Sequence, residues 1–120
     1  MAKEQFDDLK SMLGNLQDKK GVIGSAVVGF DGVLIADTMP LDIDAKEVAF
    51  WARAAHMNAQ QMIRPLGHSR VFQIVLKDLA GYTVIADFGG GLLITTTENK
   101  DTNSLIPVMR NITQLISDSH

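Results

Sequence analysis

Val22-Ile23-Gly24-Ser25-Ala26-Val27-Val28-Gly29-Phe30-Asp31-Gly32-Val33-Leu34-Ile35-Ala36 consists of two apolar, β-branched runs that meet at Asp31-Gly32. Val22 to Phe30 reads as one strand and Val33 to Ala36 as a second. An Asp-Gly pair between such runs predicts a hairpin closed by a type I′ turn, in which both central residues need positive φ. Gly24 and Gly29 lower the strand propensity of the first run and mark a bulge or close packing against a helix.

Upstream, from about Lys3 to Asp18, Phe6, Leu9, Met12, Leu13 and Leu16 recur at helical spacing. Lys19, Lys20 and Gly21 follow, the cations and glycine that helix ends favour. Downstream, Thr38-Met39-Pro40 turns the chain into the longest helical stretch, about Ile43 to Leu66. Asp44 with Glu47 has the spacing of a capping box, and Pro65 and Gly67 stop the helix. Three strands come next: Arg70 to Lys77, Tyr82 to Phe88, and Leu92 to Thr97. Their short connectors, Asp78-Leu79-Ala80-Gly81 and Gly89-Gly90-Gly91, predict an antiparallel meander. A last helix is expected from about Thr102 to Ser117, with Pro107 in its first turn. The order α-β-β-α-β-β-β-α gives an α+β layered fold, a five-stranded antiparallel sheet with three helices, expected to be one domain over residues 1–120.

At 120 residues, with 46% hydrophobic and 21% charged residues, the chain has enough apolar material for a core and is not disordered in composition. Without cysteine it has no disulfides, thiolate zinc sites or cysteine nucleophile, and this fits a reducing compartment. A net charge of −3 gives nucleic acid no electrostatic footprint to bind. No apolar run approaches the length of a membrane span, so the expected state is soluble and cytoplasmic, without membrane insertion.

Chemistry finds little to work with. Neither a P-loop nor a dinucleotide-binding glycine motif occurs, and Gly89-Gly90-Gly91 joins two strands instead of opening a helix onto an anion. His56 and His68 have no acid three or four residues on, and both read as partly exposed polar residues; His120 is the last residue. Asp31 and Asp78 suit turns, while Asp42 and Asp44 suit a helix start. Only Asp87, at a strand end beside Phe88, lacks a local explanation. The serines have no nucleophile-elbow context. No cofactor, metal or catalytic residue is expected, and enzymatic function is not.

The long helix carries the functional signal. At about 100° per residue, Val48, Ala52, Ala55, Ala59 and Leu66 share the side expected on the sheet, flanked by Trp51, Met62 and Ile63. Lys46, Arg53, Gln60, Gln61 and Arg64 lie opposite, with Phe50 and Met57 among them. Aromatic, Met and Arg residues are enriched at protein interfaces, so Lys46, Phe50, Arg53, Met57 and Arg64 become interface candidates, with a basic rim suited to an acidic partner. The strand from Arg70 to Lys77 is apolar on both faces and opens a meander, which leaves it at an edge. Val71, Gln73 and Val75 are therefore candidates for pairing with a second copy across a two-fold axis.

The run from Gly21 to Ala36 resembles the first hairpin of the roadblock / dynein light-chain domain family, including its MglB-like branch. The Ala-rich helix, the meander and the terminal helix after Glu98-Asn99-Lys100-Asp101-Thr102-Asn103 follow in the family's order, from about Phe6 to Ile116. One departure is Ser104, followed by Pro107, where the family often has glycine at the start of the last helix. The resemblance implies a profilin-like layered fold and a non-catalytic homodimer built on the long helix and first meander strand. It also implies a platform for a small Ras-like GTPase, whose GTP hydrolysis MglB-like members accelerate. The competing expectation, from similar profilin-like and PAS-like architectures, is a small-ligand sensor with an internal cavity.

Overall fold

The Asp31-Gly32 signal does close a hairpin, but by a different turn. The computed structural model describes residues 3–68, 70–98 and 110. Within them β1 (Val22–Val28) pairs antiparallel with β2 (Leu34–Asp37). A type I′ turn needs positive φ at Asp31, and no described residue other than glycine has it. Gly32 alone in this loop does, at +86°. Asp31 instead turns its carboxylate back to accept from Val33 N at 3.0 Å. Gly32 N donates to Gly29 O at 2.9 Å, and Gly29 N to Val33 O at 3.0 Å. The outcome is a three-residue loop whose last residue is left-handed, with a register shift beside it between Val27 and Val28. Gly24 also sits at a register shift, but its close neighbour is a loop and not a helix. A Cβ there would lie 2.9 Å from the Met39 Cα.

The remaining elements are α1 (Lys3–Gln17), α2 (Ala45–Ile63) with a 3-10 turn (Arg64–Leu66), β3 (Gln73–Lys77), β4 (Tyr82–Asp87) and β5 (Leu92–Thr97). The helix expected near 102–117, with Ser104 and Pro107, lies outside the described residues, Arg110 excepted. Asp44 caps α2 by accepting from Lys46 N and Glu47 N at 3.1 and 3.2 Å. At the far end Pro65 falls in the 3-10 turn, and Gly67 N closes it on Arg64 O.

All neighbours in the sheet, ordered β2-β1-β5-β4-β3, are antiparallel. Successive strand residues face opposite sides, and each side has its own helix. Leu9, Leu13 and Leu16 of α1 pack on Val27, Val84, Ala86 and Leu93. Ala49 and Ala52 of α2 pack on Ala26, Val28, Ile85, Leu92 and Ile94. Each large apolar side chain so buried contributes about 1.5–3 kcal/mol.

Helix α2 is rotated from its expected setting. Its buried residues are Ala49, Ala52 and His56, while Val48 and Ala55 are only partly covered. Trp51, Met62 and Leu66, expected on or beside the sheet side, are exposed. The small Ala49 and Ala52 let the backbone approach β1 closely, and the 3-10 turn carries Leu66 out of helical phase. His56, expected to be partly exposed, is buried at 6% exposure.

Candidate interaction site

Two neighbouring aromatics on a helix lie about 100° apart, so only one of them can point straight at a flat sheet. On α2 it buries neither: Phe50 and Trp51 are each 61% exposed. Their rings meet edge to face, with centroids 5.0 Å apart and planes at 82°. Met57 and Met62 add exposed thioether surface to the outer side of the helix. Lys46 and Arg64 are exposed near its two ends. Arg53 is half-buried and donates from Nε to Phe30 O, which ties α2 to the β1–β2 loop. Phe50 and Met57 therefore sit on the outside, as the helical spacing implied. Trp51 and Met62, expected beside the sheet side, are exposed as well, Trp51 at the rim of the helix towards the sheet.

Along the sheet, α2 lies over β1, β2 and β5 and leaves the β3 side uncovered. A groove of about 520 Å³ opens there, between Ile43, Val48, Trp51 and Ala55 of the helical side and Leu76 and Ile85 of the sheet. Strand β3 forms one edge, paired only with β4 among the described residues. Val75 and Leu76 are exposed on its two faces, and Gln73 is half-buried. Val71 precedes β3, because α2 holds its backbone at both ends. Gln60 Oε1 accepts from Val71 N at 3.3 Å, and His56 Nε2 lies 3.0 Å from Val71 O. A carbonyl only accepts, so Nε2 carries the hydrogen.

This clamp belongs to a polar cluster assembled from distant parts of the chain. Asp87, 2% exposed at the end of β4, accepts from Arg70 Nε and Nη2 at 3.2–3.3 Å and from Gly89 N at 2.8 Å. His56 Nε2 stands 3.8 Å from Asp87 Oδ2. The Arg70 guanidinium also lies over the Phe72 ring, 4.7 Å from its centroid. A cavity of about 470 Å³ opens beside the cluster, with Phe30, Arg53, Met57 and Gln60 on its other walls. Sequence reading marked Asp87 as unexplained but assembled no polar cleft, because His56 and Gln60 come from α2 and Arg70 from the segment before β3. No group of three His, Cys, Asp or Glu able to hold a metal occurs among the described residues. No described helix is long and apolar enough to cross a membrane.

The Roadblock/LC7 domain family matches residues 9–98. The uncharacterized proteins MJ0310 and MJ0714 of Methanocaldococcus jannaschii are 33% and 35% identical over 97 residues, which is 81% of this chain and 85% and 82% of theirs. Among solved structures, Myxococcus xanthus MglB aligns with TM-score 0.78 at 12% identity, covering 100% of this chain and 96% of that one. Gliding protein MglB from Thermus thermophilus gives 0.81 at 11% identity, covering 99% and 93%. A Roadblock/LC7 domain from Streptomyces avermitilis gives 0.73 at 15%, covering 90% and 91%. At such identities the structural likeness speaks for the fold.

Proposed function

Because the chain belongs to the Roadblock/LC7 domain family, we propose that it is a homodimeric, non-catalytic regulator or scaffold for a small Ras-like GTPase. It works in the cytoplasm as one domain, without nucleic acid, membrane insertion or cofactor. The observation that carries this reading is the exposed Phe50–Trp51 pair beside an uncovered apolar edge strand. Joining β3 to β3 of a second copy across a two-fold axis satisfies the backbone groups of that edge, with Gln73 and Val75 in the seam. The same step brings a second α2 toward the groove, where it covers Trp51 and Leu76. The outer residues of the two helices, among them Phe50, Met57, Arg53, Lys46 and Arg64, then form the platform for the GTPase. Aromatic and Met anchors supply its apolar contact area, and the cations fit an acidic partner surface. Self-association of this fold has a parallel in a structure described as MglB with tetrameric arrangement, at TM-score 0.76 and 12% identity. The alternative, a small-ligand sensor, draws on the same apolar groove, which a monomer leaves open to a small molecule.

Sedimentation at micromolar concentration is expected to give a dimer, and a stable monomer would refute the edge pairing. Mixing with a Ras-like GTPase encoded beside this chain is expected to give a complex or altered GTP turnover. Neither result, with the dimer intact, refutes the GTPase assignment alone.

A further inference from the structure

The cavity beside Asp87 is rich in hydrogen-bond donors and poor in acceptors. Its one carboxylate is already committed, since both Asp87 oxygens accept from Arg70 and Oδ1 also accepts from Gly89 N. Gln60 has turned its oxygen to Val71 N, which leaves the amide NH2 as the free end of that side chain. Arg53 uses Nε on Phe30 O, and its two terminal amino groups have no acceptor among the described residues. Arg70 Nη1 likewise has none. Two guanidinium groups against one carboxylate leave the walls with an excess of positive charge. The volume, about 470 Å³, is that of a small-molecule site, and half-exposed Phe30 and Met57 form an apolar part of its lining.

From this arrangement we propose that the cavity binds an oxyanion, a carboxylate or phosphate group, held by Arg53, Gln60 and Arg70. Arg53, with both terminal nitrogens open, matches two such oxygens at once, Arg70 Nη1 adds a single contact, and charge-assisted bonds of this kind are the stronger ones. A cation is repelled by the arginines, and a ligand that brings its own donors finds no uncommitted carboxylate, His56 Nδ1 being the side-chain nitrogen acceptor left on the lining once Nε2 carries the hydrogen. Asp87 acts as a positioning residue here: it fixes Arg70 on the cavity wall without touching the ligand. Dimerisation is not required, because every group named belongs to one chain, and the inference does not rest on the GTPase reading.

The test is a titration followed by the side-chain N–H resonances of Arg53, Gln60 and Arg70 at constant ionic strength. The probes are inorganic phosphate and the blocked tripeptide acetyl-Leu-Glu-Leu-amide, with chloride as control. Saturating shifts of the Arg53 and Gln60 resonances are expected. Phosphate alone acting identifies a free phosphate ligand, the peptide alone identifies an acidic protein side chain, and either supports the site. Gln60→Glu keeps an oxygen for Val71 N but fills the cavity with its own carboxylate. It is expected to weaken binding about tenfold or more, while the Val71 amide resonance stays in place. Arg53→Gln should weaken binding similarly without disturbing Asp87. Shifts no larger than with chloride, or unchanged affinity in Gln60→Glu with the Val71 resonance in place, would overturn the proposal.

Discussion

The Asp87 carboxylate accepts from a guanidinium and a backbone N–H in a setting almost closed to water. Asp87→Ala leaves both donors without their acceptor and is expected to cost about 2–3 kcal/mol, read as a lower urea midpoint. Arg70→Ala strands the buried carboxylate instead. The double variant should therefore lose less than the sum of the two, and additive losses would show that the pair is not a unit. Gly32→Ala tests a separate point, the loop of the first hairpin. At φ +86° the change is expected to cost about 1–2 kcal/mol, and the Arg53 Cδ stands 3.2 Å from where the new Cβ would lie. Sequence made these residues legible to different degrees. Gly32 was plain from Asp-Gly between strands, though the turn type was not, since Asp31 found a side-chain bond that spared it positive φ. Asp87 stood out for want of a local duty. His56 was misread because the groups that bury it come from another part of the chain, which spacing within one helix does not register.

Among elements, strands were read well and the setting of α2 poorly. Short connectors leave a meander almost no freedom, and β4 and β5 begin and end within a residue of where their β-branched runs lie. A helix with alanine, Phe, Trp, Val and Met around most of its circumference has no single apolar stripe. Its contact face is then chosen by close approach at Ala49 and Ala52, and not by hydrophobicity alone. That choice leaves the aromatic pair outside. Phe50→Asp, at an exposed position, should change the stability of an isolated chain by about 0.5 kcal/mol or less while abolishing partner binding. Partner binding that survives Phe50→Asp removes Phe50 from the platform. Leu76→Lys, on the uncovered strip of the sheet, should shift the sedimentation equilibrium toward monomer with little effect on the circular dichroism spectrum.

At the scale of the whole molecule, stability and association are linked. If native chains pair and unfolded ones do not, the melting temperature rises with protein concentration, and a melting temperature independent of concentration argues for a monomer. The two borders of the sheet are unequal: β2 is four residues long and β3 five, with an apolar strip beside it. The order of strands has a further consequence, in time rather than in space. Strand β1 lies between β2, its immediate successor, and β5, so that Ser25 and Thr95 share a buried hydroxyl bond across 70 positions of sequence. Hairpin β1–β2 has all its residues well before β5 is synthesised, and its inner border stays open until β5 has been made. During translation the nascent chain must carry that apolar border unpaired, and the slow step of folding is expected to be the closing of this long loop.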